Sequence, residues 1–447
     1  MEASQAKTST APGVLRRELG LTGAVATGLG SILGAGVFVS LGVAAGVAGP
    51  WVLLAIVLAG GLAVCNALSS AQLAATHPVS GGTYEYGYAY LGPTCGFGAG
   101  WMFLLAKSAS AATAALGCAF YLLRGFLGVE SGWATPLALG LCAAATGVVL
   151  CGVRRSGWVN LAIVGLTLLS LVAFSTAGLW WVAQHGSAGL AGVQGVGSEA
   201  SEHWRGAGVA PGLFEATALM FVAYTGYGRI ATLGEEVRDP RRTIPRAIVI
   251  TLAVSGGLYL LVGWAAIASV GAARLAAGVE DGGALLQSIS AGYGWPGLPW
   301  LVGAGAVAAT LGVLLNLILG LSRVVLAMGR RRDLPGGLSK LDGRGEPRGA
   351  VVLVGVLVAG LAAMGSIQTA WSLSAFAVLL YYAVTNLAAL RLPPDQRLYS
   401  PWFARAGLAG CLFLAFWVPL GVWLAGLGAL AVGLAWHAGR RALARRG

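Results

Sequence analysis

Long apolar stretches recur along the whole chain and are separated by short polar segments. A helix needs about 20 mostly apolar residues to cross the hydrocarbon core of a bilayer. The pattern therefore predicts an all-α polytopic membrane protein. We predict twelve spans, at residues 19–42, 51–74, 96–123, 133–152, 158–183, 211–236, 246–271, 298–329, 350–365, 369–391, 402–418 and 420–437.

Two of these spans are interrupted by glycine. Span one contains "GLGSILGAGVF" at residues 28–38, and span six contains "AYTGYGR" at residues 223–229. Small residues also allow close helix packing in lipid, which is the usual explanation for an isolated glycine pattern. Here, however, each interrupted span opens a block of five, and such matching breaks are typical of inverted-repeat secondary transporters.

The breaks predict the domain organisation. Five spans per block is an odd number, so the second block inserts upside down relative to the first. We predict a 5+5 inverted repeat within a transporter domain at residues 19–438. Its parts are repeat one at about 19–183, repeat two at about 211–391 and two extra spans within 402–437, with tails at 1–18 and 439–447.

The broken spans offer backbone groups to a substrate. Unwinding near Leu33–Gly36 frees amide groups at the positive end of a half-helix, which can hold a carboxylate. Carbonyls near Ile32, and around Val222, Ala223 and Thr225 in span six, face a cation such as an α-ammonium group. A zwitterion bound between the breaks would satisfy polar groups that lipid cannot.

Charge fixes the predicted orientation. The chain is 57% hydrophobic and 10% charged, with a formal net charge of +12. With twelve spans and both termini in the cytoplasm, most basic residues fall on the inner side, as the positive-inside rule requires. We expect a multi-pass protein of the cytoplasmic membrane in contact with anionic lipid. Nucleic acid is a poorer explanation, because the basic residues are scattered over every inner loop: Arg154, Arg155, Arg241, Arg242, Arg330, Arg331, Arg332, Arg440, Arg441, Arg445 and Arg446.

Tryptophans near predicted span ends indicate an interfacial belt. Its members are Trp51, Trp101, Trp133, Trp158, Trp295, Trp300, Trp371 and Trp436.

Four segments resemble the amino acid–polyamine–organocation superfamily, in its cationic-amino-acid-transporter-like and bacterial permease branch. They are "GSILGAGVF" in span one, "HPVSGGTYEYGYAYLGPTCGFGAGW" at 77–101, "FVAYTGYGRIATLGEEVRDPRRTIPRAI" at 221–248 and "SRVVLAMGRRRDLP" at 322–335. They occur in order and bracket the first eight spans. The resemblance implies the leucine-transporter fold and amino acid transport.

The resemblance also implies roles for the residues that match its motifs. The substrate carboxylate would bind the amide groups of Gly34, Ala35 and Gly36. The α-amino group would meet the carbonyls of Ile32, Val222 and Thr225. An aromatic lid would come from Phe221, Tyr224 or Tyr227.

The chain departs from the family at two charged positions. Proton-coupled relatives carry a lysine in span five, where this chain has Thr167. The cationic branch carries an acidic residue after the span-six aromatic, where this chain has Gly228 followed by Arg229. The usual proton group and the usual partner of a basic substrate are therefore both missing.

Two charged residues within spans are candidates for ion coupling. Lys107 lies well inside span three, where a lysine costs on the order of 3 kcal/mol on insertion scales. It either snorkels to the inner surface or a helix-end carbonyl, or supplies from span three the charge that relatives supply from span five. Glu215, in the outer half of span six, is either a solvated vestibule residue or a group that titrates or attracts a cation. Glu235, Glu236 and Asp239 are expected to pair with nearby arginines and latch the inner gate.

These patterns predict a secondary active amino acid permease that is proton-coupled. A sodium-independent exchanger is the alternative, and an ion channel a weaker one. Sodium coupling is not expected, because Thr310 and Ser322 of span eight are too far apart to share one ion. An enzyme is not expected either, because the histidines lie near span ends or in loops. The sequence suggests no metal or other cofactor and leaves the oligomeric state open.

Overall fold

The computed structural model describes residues 19–77, 81–129, 131–152, 157–187, 209–231, 237–280, 284–343 and 345–444. Within these ranges the regular structure is helical, with one isolated bridge between Leu19 and Val237. The α-helices are α1 Leu21–Ile32, α2 Ala35–Phe38, α3 Ser40–Ala48, α4 Val52–Thr76, α5 Thr83–Leu91, α6 Pro93–Phe120, α7 Ala134–Leu150, α8 Gly157–His185, α9 Val209–Tyr224, α10 Gly228–Ala231, α11 Pro240–Val270, α12 Ala272–Glu280, α13 Leu285–Ala291, α14 Leu298–Arg330, α15 Arg348–Ala362, α16 Ile367–Leu390, α17 Pro401–Ala415 and α18 Leu420–Ala444.

Many of these helices can cross a membrane. Among the described residues, eight helical segments are long and apolar enough: Leu21–Phe38, Ser40–Thr76, Pro93–Leu127, Trp158–His185, Pro240–Val270, Leu298–Arg330, Ile367–Leu390 and Leu420–Ala442. Three shorter helices are also apolar: Ala134–Leu150, Arg348–Ala362 and Pro401–Ala415. The chain is a multi-pass membrane protein.

Proline and glycine set several helix ends. Pro93 and Pro240 stand in the first turn of α6 and α11, where the missing N–H costs nothing. Gly271 follows α11 with φ of 81°, a conformation that glycine adopts without a Cβ penalty. These residues set the ends of α6 and α11 close to the predicted span boundaries at residues 96, 246 and 271.

The helices differ from the expected spans at three places. Helices α12 and α13 lie between predicted spans seven and eight, where no helix was expected. The segment at 75–95, expected to connect spans two and three, contains α5 and the start of α6. The last helix continues to Ala444, into the segment expected as a tail. The predicted N-terminal tail at 1–18 lies outside the described residues.

The two breaks in the helices meet inside the bundle. Helix α1 packs against α8, α11 and α14, and also against the turn Thr225–Tyr227 that follows α9. Helix α6 packs against α14 and α16. Both breaks are therefore packed inside the protein, an environment in which irregular backbone is tolerated at membrane depth.

Candidate functional site

The first break falls where the glycine pattern predicts it. Helix α1 ends at Ile32, Leu33 has φ −79° and ψ 92°, and Gly34 is extended before α2 begins at Ala35. Within the described part of the chain, the Gly34 amide donates to no backbone carbonyl. Ala35 and Gly36 open α2, and the first amides of a helix have no preceding turn to donate to. A short run of amide donors is therefore available at this break.

The second break follows α9. A 3₁₀ turn at Thr225–Tyr227 separates α9 from α10. A Cβ at Gly226 would collide with the carbonyl of Ser31, and a Cβ at Gly36 would lie 2.9 Å from both the Ala223 Cβ and the Tyr259 hydroxyl. Glycine at these two positions therefore lets the breaks touch each other directly.

Protein hydroxyls occupy the carbonyls that were expected to face a substrate ammonium. The Tyr259 hydroxyl lies 2.9 Å from the Ile32 carbonyl oxygen and 3.0 Å from that of Ala223. The Thr225 hydroxyl donates to the Val222 carbonyl at 2.7 Å. Sequence reasoning missed Tyr259. The available signal was a lone tyrosine inside the apolar run "GGLYLLVGW", because a buried tyrosine hydroxyl usually has a partner.

Lys107 lies at the second break. Its side chain is 8% exposed, and its ammonium donates to the Thr225 hydroxyl at 2.9 Å. The group thus points into the protein, to the C-terminal end of α9, rather than toward the surface of the bundle. The partner belongs to the second break, whereas the sequence argument compared this charge with the lysine that relatives carry in span five.

A cavity of about 620 Å³ lies against both breaks. Its volume is within the range of small-molecule sites. The wall contains six of the seven predicted substrate-binding residues: Ile32, Ala35, Gly36, Val222, Ala223 and Thr225. The seventh, Gly34, packs against the wall residue Val313.

The cavity extends from the breaks to one end of the bundle, which we call the α5 end. The wall there includes Glu85 of α5, Arg330, Arg331 and Glu346. Arg331 forms an ion pair with Glu85, which raises the pKa of the guanidinium. The breaks are therefore connected to a charged opening.

The predicted aromatic lid residues lie behind the wall. Phe221 and Tyr227 pack against Tyr382, with ring centroids 5.7 Å and 5.6 Å apart. Tyr224 packs against Tyr259 at 5.1 Å. None of the three predicted lid residues lines the described cavity.

Two other aromatic residues line the cavity, Phe103 and Trp371. The assignment of Trp371 to the interfacial belt is wrong. Trp371 is 3% exposed, and its indole N–H donates to the Leu219 carbonyl at 3.0 Å. An internal carbonyl thus takes the place of the interfacial water that a belt tryptophan would use.

Lys107 alone among the three predicted coupling residues lines the described cavity. Thr167 is buried, and its hydroxyl donates to the carbonyl of Ile163 one turn earlier in α8. Glu215 lies half-buried in the first part of α9, away from the cavity wall.

The predicted gate latch is only partly described. Glu235 and Glu236 lie outside the described residues. Asp239 approaches Arg242 at 3.9 Å, and both side chains are mostly exposed. An exposed pair of this kind contributes little to stability.

A second buried charge lies at the α5 end, outside the predicted site. The Asp333 carboxylate accepts from the hydroxyls of Tyr84 at 2.7 Å and Tyr88 at 2.5 Å. Its other oxygen lies 3.2 Å from Nδ1 of His437 in α18. Burial and the bond to Asp333 raise the pKa of both tyrosine hydroxyls, which keeps them as donors.

Known proteins resemble this chain along most of its length. The amino acid permease family profile matches residues 23–440. An uncharacterized transporter of Mycobacterium tuberculosis is 43% identical over 440 residues, which cover 97% of this chain and 94% of that protein.

Two named relatives are more distant. Cationic amino acid transporter 4 of Homo sapiens is 31% identical over 372 residues, covering 79% of this chain and 55% of that protein. Branched-chain amino acid permease BcaP of Bacillus subtilis is 30% identical over 350 residues, covering 73% and 70%. The names of these relatives indicate a transporter rather than an enzyme. The chain belongs to the amino acid permease family.

Proposed function

We propose that this protein is a secondary active transporter that moves amino acids across the cytoplasmic membrane by alternating access. One observation carries the proposal: two interrupted helices touch at the head of a cavity and present backbone donors and acceptors to it. Interrupted helices of this kind form the substrate sites of inverted-repeat transporters.

The substrate pose follows from the polarity of the breaks. The amides of Gly34, Ala35 and Gly36 receive the α-carboxylate at the positive end of a half-helix. The α-amino group binds the carbonyls of Ile32, Val222, Ala223 and Thr225. The Tyr259 hydroxyl lies within hydrogen-bond distance of the Ile32 and Ala223 carbonyl oxygens and holds them in place, and their remaining lone pairs accept from the ammonium group.

The proposed topology has twelve spans in a leucine-transporter-like 5+5 inverted repeat, with two extra C-terminal spans. Both termini lie in the cytoplasm, and the α5 end is the cytoplasmic face. Arg330, Arg331 and Arg332 at this end support that orientation through the positive-inside rule. The cavity is then open to the cytoplasm.

Gating is assigned to the aromatic residues that flank the second break. Phe221 and Tyr224 lie in the last turn of α9, and Tyr227 ends the 3₁₀ turn. Their rings pack on Tyr382 and Tyr259, so any movement of the break must displace them.

Proton coupling is assigned first to Lys107. A lysine can lose its proton when it is desolvated, and its ammonium already bonds the Thr225 hydroxyl at the substrate site. Glu215 is the second coupling candidate. Thr167 stands where proton-coupled relatives carry a lysine, and threonine has no charge to contribute. Proton-independent exchange is therefore the alternative.

Counterflow in proteoliposomes tests the proposal. Purified protein is reconstituted with an unlabelled amino acid inside, and uptake of the same labelled amino acid is followed over a panel of the twenty. Saturable uptake that depends on internal substrate supports a carrier. A substrate-independent conductance, or no counterflow with any member, contradicts the proposal.

A second measurement separates symport from exchange. Uptake into empty liposomes is measured under an inward proton gradient, with and without a protonophore. Accumulation that the protonophore abolishes supports proton coupling. Uptake that requires internal amino acid and does not change with the proton gradient supports exchange.

A further inference from the structure

Lys107 carries a charge at the substrate site that the binding of an α-amino acid backbone does not use. The amides and carbonyls of the breaks suffice for the carboxylate and the ammonium that every amino acid has. Snorkelling does not account for Lys107, because its ammonium bonds Thr225 inside the bundle. Topology does not account for it either, because the positive-inside rule acts on loops and span ends.

The ammonium is incompletely satisfied. A lysine ammonium has three donors, and within the described residues one hydrogen bond from Lys107 is found, to Thr225. No described carboxylate lies within ion-pair distance of it. A buried charge without a counter-charge is costly, so the arrangement favours a ligand that supplies one.

The described cavity wall as a whole carries an excess of positive charge. Its cationic side chains outnumber its two acidic ones, Glu85 and Glu346, and Glu85 is already paired with Arg331. The cationic members are Lys107, Arg229, Arg323, Arg330 and Arg331. A cavity whose wall carries an excess of one charge concentrates ligands of the opposite sign.

Resting on the function proposed above, we propose that the preferred substrate is an amino acid with an acidic side chain, and that the Lys107 ammonium receives the side-chain carboxylate. The α-groups bind the breaks, and the side chain extends toward α6. Phe103 and Ser110, one turn to either side of Lys107, form the wall beside it.

A cationic side chain is excluded by the same geometry. It would enter a low-dielectric space that already holds an ammonium, and like charges repel strongly there. A neutral side chain of equal shape can enter but leaves Lys107 without its counter-charge. The order of preference is therefore acidic, then neutral, then basic, opposite to the order implied by the name of the human relative.

Glutamate and glutamine provide the test, because they share a shape and differ in charge. Proteoliposomes containing the full chain are loaded with glutamine, and labelled glutamate and glutamine are compared for uptake, with arginine as competitor. Wild-type protein is expected to prefer glutamate by at least about tenfold, since losing one partner of a buried charge pair costs more than that factor. Arginine is expected not to compete.

Variants assign the preference to Lys107. Lys107→Met keeps the length of the side chain without its charge, and the ratio of glutamate uptake to glutamine uptake should fall at least about tenfold, whatever happens to total uptake. Lys107→Arg keeps the charge and should retain part of the preference. The matched control is Lys340→Met. Lys340 is exposed in a loop, and its replacement removes the same charge at a residue outside the described cavity wall.

The outcomes separate the two proposals. Wild-type counterflow of neutral or basic amino acids without glutamate overturns the acidic-substrate proposal and leaves the transporter function standing. An unchanged glutamate preference in Lys107→Met overturns the assignment to Lys107. Counterflow of no amino acid overturns the proposed function itself. The wild-type comparison decides the substrate class even if the variants fail to fold.

Discussion

Lys107 and Asp333 are two buried charges whose surroundings differ. They are 8% and 6% exposed, respectively. Asp333 has two tyrosine hydroxyls on one oxygen and a histidine on the other, whereas Lys107 has one hydroxyl and faces a cavity. A buried charge whose partners are all within the protein holds segments together. One left short of partners at a cavity wall is available to a ligand.

The same contrast applies to the helix segments that carry the two groups. Asp333 joins α5, the end of α14 and α18, and the indole of Trp436 also donates to its backbone carbonyl at 2.9 Å. Lys107 joins α6 to a single 3₁₀ turn. The contacts around Asp333 should therefore persist while the second break moves during transport.

Gly36→Val should have the largest effect on uptake. Its added atoms would meet Ala223 and Tyr259 at the contact between the breaks, which leaves no room for a Cβ. Uptake should fall to background while the protein still reaches the membrane. Gly61→Val is the control, because nothing lies within 4 Å of the Cβ position at Gly61. Wild-type uptake by Gly36→Val would contradict the close contact of the breaks.

Asp333→Asn should affect stability rather than transport. The amide keeps one acceptor oxygen but loses the charge that pairs with His437 and two tyrosines, a cost of about 2 kcal/mol. Thermal unfolding in detergent measures the loss, with the exposed Asp395→Asn as control. If Asp333→Asn instead unfolds at the same temperature as the control while transport is lost, Asp333 takes part in the transport cycle.

Tyr259→Phe should reduce substrate affinity about fivefold, the effect of a typical hydrogen bond. The hydroxyl orders the carbonyls of Ile32 and Ala223, and without it they are free to turn away. Concentration-dependent counterflow gives the apparent affinity. Tyr293→Phe removes a hydroxyl that bonds Ser269 away from the cavity, and should leave affinity unchanged. Equal effects of the two changes would argue against a role for Tyr259 at the site.

Replacement of sodium by choline should have no effect on uptake. The hydroxyls of Thr310 and Ser322 each donate to a carbonyl one turn earlier in α14, and oxygen ligands must converge on one ion to bind it. Initial uptake rates in the two salts test this at equal ionic strength. A collapse of uptake in choline would show that a sodium site exists.

The sequence predicted what depends on local pattern. Apolar runs located the long helices, and the glycines of "GLGSILGAGVF" located the first break to within a residue of Leu33. Six of seven predicted substrate-binding residues line the cavity because they surround those breaks.

What the sequence did not predict depends on contacts between distant segments. Thr225 is 118 residues from Lys107, and no local signal connects them. The Asp333–His437 pair also joins segments that are distant in the sequence, and so do the contacts of the Tyr259 hydroxyl with the Ile32 and Ala223 carbonyls. Trp371 was misplaced because position near a span end does not reveal which way a side chain points.

Protection of a cysteine at the first break tests most directly whether the amino acid binds between the two breaks. Ser31 lines the cavity beside Ile32, and all six native cysteines are free, so Ser31→Cys is made in a background with those six replaced by alanine. Its labelling by a water-soluble maleimide should slow in the presence of any amino acid that the protein transports. Ser400→Cys, exposed in a loop, should label at an unchanged rate. If transported amino acids leave the labelling of Ser31→Cys unaltered, the substrate does not bind between the breaks.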